Sequence, residues 1–142
     1  MLESFGQGPG REIKQKVSSL ERDIKKSSLT SLKLAKTAAK FASDKKAEDI
    51  TVLDMRHVVN FCDFFVIATG NSTRQAQAIA EGVVEGFEEL GTKISRKEGF
   101  REGHWVLVDV GSVLIHVFER ETREFYGLDH LWQDAKPVNW QK

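Results

Sequence analysis

The chain has 142 residues, of which 40% are hydrophobic and 30% are charged. This length and composition suit one globular domain and exclude a wholly disordered chain. Basic and acidic side chains both number 21, so the chain has no overall field that would attract nucleic acid or a membrane surface.

Cysteine use and the lack of a targeting signal indicate the compartment. Cys62 is the single cysteine, which excludes a disulfide within the chain and fits a reducing environment. It lies in the apolar stretch NFCDFFV, where a buried small side chain is expected more than a nucleophile. No apolar run reaches the roughly 18 residues that a membrane span requires, and the N-terminus lacks a signal-peptide core. The sequence therefore predicts a cytoplasmic protein without a membrane segment.

Residues 1–29 are predicted to form an extension to the main domain. The first ten contain three glycines and one proline, which is typical of a flexible tail. Residues 11–27 carry apolar side chains at helical spacing among many charges, which favours a short amphipathic helix. A solvated extension explains this segment better than a nucleic-acid-binding arm, because its charge is only mildly positive.

The main domain is predicted to span residues 30–142 and to form an α/β fold. The apolar run DFFVIATG indicates a strand buried on both faces. The order of elements predicts a mixed sheet with flanking helices and an antiparallel hairpin. The expected strands are 48–55, 63–70, 93–99, 104–110 and 112–119, and the expected helices are 31–47 and 72–90. Phe125, Leu128, Leu131, Trp132 and Ala135 suggest one or two further helical turns within residues 122–135.

The junction DFFVIATGNSTRQ resembles phosphate-binding turns, because a helix N-terminus exposes N–H groups. However, Asn71, Ser72 and Thr73 stand where a dinucleotide-binding turn has glycines, and a G-K-[ST] sequence is absent. Ser72 and Gln75 instead fit a capping box, in which the serine accepts from the N–H of Gln75 and the glutamine side chain reaches back. The cap is the favoured interpretation, with Gly70 or Asn71 supplying the turn.

The same order of elements also resembles the nucleotidyltransferase-like fold. Its enzymes hold two metal ions with a pair of carboxylates, spaced D-x-[DE], on the strand that follows. Here that strand carries Asp109 alone. His104, His116 and His130 lack the spacing of a metal site. The sequence therefore predicts no metal and no cofactor, and a nucleotide-binding protein of this fold is the alternative function.

The hairpin HWVLVDVGSVLIHVFE has two faces of different character. Residues two apart share a face, so a two-residue turn at Val110–Gly111 or at Gly111–Ser112 groups the side chains identically. A three-residue turn would change the grouping. The aliphatic face carries Val106, Val108, Val113, Ile115 and Val117. The mixed face carries Trp105, Leu107, Asp109, Leu114, His116 and Phe118.

The aliphatic face is expected to be core, whereas the mixed face has two interpretations. Its composition disfavours a close-packed interior, because a buried and unpartnered Asp109 would cost a few kcal/mol. If it is open, it forms an apolar patch of the kind that binds proteins, and Tyr126 and Trp132 could extend it. It carries no Arg or Lys, which argues against a direct nucleic-acid site. The pattern alone leaves an interface and an internally bonded core equally open.

Four blocks in register resemble the ribosomal silencing factor family, RsfS or Iojap: DKKAEDITVLDM, DFFVIATGNSTRQAQAIA, HWVLVDVGSVLIHVFE and REFYGLDHLWQDA. The resemblance covers residues 31–136 and leaves residues 1–30 outside it. It implies a domain of nucleotidyltransferase-like topology without transferase activity. It also implies a non-enzymatic protein that binds the large ribosomal subunit through its protein L-fourteen. Such a protein blocks joining of the small subunit and represses translation when nutrients are scarce.

The resemblance also assigns partner-binding residues where the motifs match. This set overlaps the mixed face of the hairpin, which favours the interface interpretation. We expect Trp105 and Tyr126 to be the anchors, Asp109 to meet a basic residue of the partner, and the protein to be a monomer or a weak homodimer. The implied contact residues are Trp105, Asp109, His116, Phe118 and Tyr126, with Arg123, Leu128 and Leu131 as weaker candidates.

Overall fold

A computed structural model describes residues 31–142 and has an α/β fold with a mixed sheet, as predicted. The predictions for residues 1–29 lie outside the described residues. Within the described part, no helix is long and apolar enough to cross a membrane. The strands are β1 (Glu48–Asp54), β2 (Phe64–Gly70), β3 (Arg96–Glu98), β4 (Trp105–Asp109), β5 (Val113–Glu119) and β6 (Lys136–Val138). The helices are α1 (31–44), α2 (Thr73–Glu89), α3 (Arg120–Tyr126) and α4 (Leu128–Leu131).

The described strands form one sheet in the order β3-β4-β5-β2-β1-β6. The β2–β5 pair is parallel, and the other pairs are antiparallel. All seven residues of β2 are buried, as its continuous apolar run predicts. Strand β6 was not predicted, because Pro137 lies within it. An edge strand tolerates proline, since one side of its backbone has no neighbouring strand.

The hairpin formed by β4 and β5 has the predicted arrangement of faces. Asp109 pairs with Leu114, which centres the turn on Gly111 and Ser112. Gly111 has a φ of 97°, a left-handed conformation that glycine adopts without strain. Because the turn keeps the alternation in step, the aliphatic and mixed faces stay grouped as the sequence predicts.

The aliphatic side of the sheet packs under α1 and α2. Their buried residues join those of the aliphatic face in one hydrophobic cluster. The Phe41 ring of α1 meets the Phe87 ring of α2 edge-on, with centroids 5.3 Å apart. Gly86 permits this approach, because a Cβ there would lie 2.5 Å from the Phe41 ring. The core therefore depends on a close contact between the two helices.

The mixed side carries a second hydrophobic cluster, which matches one of the two interpretations that the pattern left open. Phe65, Leu114 and Phe118 pack with Leu128 of α4 and with the segment at residues 55–62. Cys62 belongs to this cluster, and burial raises the pKa of its thiol to about 12. Cys62 is thus a buried small side chain, as predicted. The expectation that the mixed face is unsuitable for close packing is wrong for its β5 half.

Candidate protein-docking surface

An exposed group of aromatic side chains lies where β4 begins and α3 ends. The half-buried indole of Trp105 has its ring centroid 5.0 Å from that of Tyr126, which is 53% exposed. Tyr126 in turn meets Phe125 edge-on at 5.1 Å, and Phe125 is 81% exposed. Leu107 lies half-buried two residues along β4. We call Trp105, Leu107, Phe125 and Tyr126 the apolar surface.

Three of the predicted contact residues are buried next to this surface. Phe118 is fully buried, and His116 and Leu128 are 6% and 7% exposed. The segment at residues 55–62 and α4 pack over β5, whereas β4 lies beside this cover. His116, Phe118 and Leu128 are therefore buried next to the apolar surface, and a direct contact of these residues with a partner stays a prediction.

The indole of Trp105 is fixed by residues of β5. Its Nε1–H donates a hydrogen bond to Nδ1 of His116 at 3.1 Å, and its ring centroid is 4.8 Å from that of Phe118. Each aromatic pair of this kind adds about 0.5–1.5 kcal/mol beyond its buried area. The mixed face is thus an internally bonded core on β5 and a partly open surface on β4. The core interpretation therefore applies to β5, and the interface interpretation applies to β4.

His116 is held in its neutral form. Burial lowers the pKa of its imidazole to about 4, from an ordinary value of 6.5. Because Nδ1 accepts from Trp105, the neutral ring carries its proton on Nε2. This Nε2 has no hydrogen-bond partner among residues 31–142. At neutral pH the ring therefore serves Trp105 as an uncharged acceptor.

Asp109 is half-buried at the turn end of β4 and has a structural role there. Its Oδ1 accepts from the backbone N–H of Gly111 at 2.7 Å. Arg96 of β3 lies directly opposite Asp109, on the same face. The hairpin itself carries no Arg or Lys on this face, as the sequence shows, but the neighbouring strand β3 places Arg96 beside it. The partner contact expected of Asp109 stays a prediction.

After β5, helical spacing did not predict that Phe125 and Leu131 are exposed. The sequence suggests one or two helical turns within residues 122–135, limited by Gly127 and Pro137. In the structure Gly127 has a φ of 56° and separates α3 from α4. Leu128 therefore points into the second cluster, while Phe125 and Leu131 are exposed. Trp132, expected to extend the patch, is half-buried and meets Phe65 at 5.9 Å. Helical spacing alone therefore did not reveal that Phe125 lies on the surface.

The N-terminus of α2 is capped by side chains at its own start. Ser72 Oγ accepts from the N–H of Gln75 at 3.0 Å, as predicted. Gln75 Oε1 accepts from Asn71 N–H at 2.6 Å, one residue earlier than the expected box. A Cβ at Gly70 would lie 2.7 Å from the backbone nitrogen of Ala76, so this glycine permits close strand–helix contact. These contacts account for the motif without a bound phosphate. Among the described residues, no group of three His, Cys, Asp or Glu side chains could hold a metal ion.

Comparison with known proteins decides the family. A family model described as "Ribosomal silencing factor during starvation" matches residues 28–142. The chain belongs to this family. RsfS of Bacillus subtilis is 45% identical over 102 residues, which are 72% of this chain and 86% of that protein. The family resemblance inferred from four sequence blocks is confirmed, and the family name describes a regulatory and not an enzymatic role.

Two solved structures are similar to this chain in sequence and in fold. A crystal structure from Bacillus halodurans is 41% identical, with a TM-score of 0.64 over 76% of this chain and 95% of that chain. A crystal structure from Chromobacterium violaceum is 36% identical, with a TM-score of 0.70 over 75% of this chain and 88% of that chain. Identity and superposition over most of both chains support the same α/β fold.

Proposed function

We propose that this RsfS-family protein binds the large ribosomal subunit in the cytoplasm through ribosomal protein L-fourteen. The bound protein occupies a face that the small subunit requires, so the subunits do not join and translation is repressed. Family membership supports the ribosomal partner. The exposed Tyr126 and Phe125, packed beside an indole that residues of β5 hold in place, are the observation that carries a protein contact. Steric exclusion of this kind needs no catalytic group.

Trp105 and Tyr126 act as anchors in this proposal. Large aromatic side chains dominate the binding energy of many interfaces, and they lose little freedom when they are already held in place. The hydrogen bond to His116 holds the indole, and the indole in turn meets Tyr126. Asp109 faces a basic residue of the partner, and the exposed Leu131 lies at the rim.

Replacing Tyr126 with Ala tests the anchor with little risk to the fold, because the side chain is 53% exposed. We expect Tyr126→Ala to lower the affinity for purified large subunits at least about tenfold, a loss near 1.4 kcal/mol. The measurement is cosedimentation at several protein concentrations. A second step adds small subunits and asks whether they join.

Two leucines of similar exposure supply a matched control. Leu131 is 66% exposed on α4, and Leu90 is 62% exposed at the end of α2. Leu131→Ala is expected to weaken binding about threefold and Leu90→Ala not to change it. If wild-type protein fails to cosediment, the proposal is rejected. A melting temperature raised by ATP or CTP with magnesium would then favour nucleotide binding.

A further inference from the structure

Helix α3 carries half of the apolar surface but has no core of its own. None of its seven residues is buried. A helix this short is not stable alone in water, because nucleation costs more than a few hydrogen bonds return. The polar side chains of α3 are therefore the main candidates for holding Phe125 and Tyr126 beside Trp105.

Arg123 supplies polar contacts from the middle of α3. Its guanidinium donates to the backbone carbonyl of Asp49 at 2.5 Å and to Thr69 Oγ1 at 2.6 Å. It also donates to Thr51 Oγ1 at 3.3 Å. Thr69 is fully buried in β2, so this bond reaches into the sheet. Hydrogen bonds from a charged donor are stronger than those between neutral groups.

The acceptor at Asp49 exists because β1 is irregular there. The pairing of β1 with β2 shifts between Glu48 and Thr51, and Asp49 has no partner in the register. Its φ of 48° is left-handed, as at a bulge. The irregularity takes the Asp49 carbonyl out of the β1–β2 ladder, and Arg123 donates to it. The bulge in β1 thus provides the carbonyl that the Arg123 guanidinium binds.

Arg120 adds a second attachment at the start of α3. It donates to Asn71 Oδ1 and to Asp49 Oδ2, each at 3.0 Å, and it forms an ion pair with Glu48. These groups are more exposed than those around Arg123, and exposed ion pairs contribute little. Arg123 is therefore the principal attachment.

We infer that Arg123 is a positioning residue, which holds α3 on the sheet so that Tyr126 stays against Trp105. It acts on partner binding through these aromatic side chains and not by touching the partner. Its effect on binding rests on the proposed function, whereas its effect on α3 does not. The inference reassigns a residue that the family resemblance implied to be a weaker contact candidate.

Three variants test the inference: Arg123→Met, Thr69→Val and the control Arg74→Met. Thr69 is fully buried and cannot touch a partner, and Arg74 is exposed on α2 without a hydrogen bond to α3. For Arg123→Met we expect amide hydrogen exchange of residues 123–127 to speed up about tenfold and large-subunit affinity to fall about tenfold. For Thr69→Val we expect about threefold changes in the same directions. Arg74→Met is expected to change neither.

Amide exchange and large-subunit affinity are measured separately. The inference about Arg123 can therefore be rejected without rejecting the proposed function. Weaker binding of Arg123→Met with unchanged exchange in α3 would mean direct contact and would overturn it. Unchanged exchange in both variants would overturn it too. If Arg123→Met does not fold, as judged by circular dichroism, Thr69→Val alone decides. If the wild-type protein does not bind large subunits, the exchange results still decide.

Discussion

The two sides of the sheet bury their side chains to different extents. On the aliphatic side, α1 and α2 cover the hairpin, and Val106, Ile115 and Val117 are fully buried. On the mixed side the cover extends over β5 but leaves Trp105 and Leu107 of β4 half-exposed. One side thus supplies a complete core, while the other combines a smaller core with a surface. A rigid platform and a recognition surface can share one hairpin because neighbouring strands are covered differently.

The helices on the two sides differ in the same way. Helix α2 has 17 residues, of which seven are buried, whereas α3 has none. Burial ties α2 to global folding, whereas α3, which is held by polar contacts and by the Tyr126 ring against Trp105, can open without the core unfolding. We therefore expect mutations on the aliphatic side to change global stability, and mutations around α3 to change local opening and binding.

The largest expected effect tests whether the mixed side contains a true core. Phe118→Ala should lower the free energy of unfolding by about 3–5 kcal/mol, as should Phe87→Ala in α2, because both rings are fully buried. Phe125→Ala, at an exposed position, should stay within about 0.5 kcal/mol. Urea denaturation measures all three. A small effect of Phe118→Ala would show that the mixed side is merely a loose cover.

A pH effect of intermediate size tests the buried imidazole. His116 has a folded pKa of about 4 against an ordinary 6.5, so between these values the unfolded state binds the extra proton. Stability should therefore fall as the pH drops from 6.5 to 4, by about 3 kcal/mol in total from this residue. At a pH well above 6.5 the ring is neutral in both states and contributes no pH dependence. Denaturation at several pH values measures the slope.

His116→Gln is the control for this slope, since its amide oxygen can still accept from Trp105. Hydrogen bonding to Arg56 lowers the pKa of Asp54, and the backbone N–H of Glu121 lowers that of Glu119. Their contributions are present above the ordinary carboxyl pKa and are lost as the pH falls through the folded values. The wild-type protein and His116→Gln both contain Asp54 and Glu119. The difference between their stability-versus-pH slopes therefore reports the contribution of His116. Equal slopes would contradict the assignment.

The smallest expected effect compares the two helix caps. Ser72→Ala should lower global stability by about 1 kcal/mol, because α2 unfolds together with the core. Glu119 caps α3 by accepting from the backbone N–H groups of Glu121 and Thr122. Glu119→Ala should change global stability by less than about 0.5 kcal/mol and should instead speed amide exchange in α3. Equal losses of global stability would show that α3 unfolds together with the core.

Local patterns were enough for much of the fold. Alternation placed Val106 and Trp105 on opposite faces of the hairpin, and the continuous apolar run identified β2 as buried on both faces. Ser72 marked the start of α2, and its side chain caps the helix as predicted. Each of these features depends on residues a few positions apart, which is the range over which sequence periodicity and capping act.

The sequence by itself determined which side chains share a face, because that depends only on strand period and turn length. Tertiary structure decided which part of the mixed face is covered, since Leu128 and the segment at residues 55–62 reach it from elsewhere in the chain. It also decided the surroundings of Arg123, whose acceptors at Asp49 and Thr69 are 74 and 54 residues away. Burial and charge pairing are properties of packed neighbours, and a single strand or helix does not specify its neighbours.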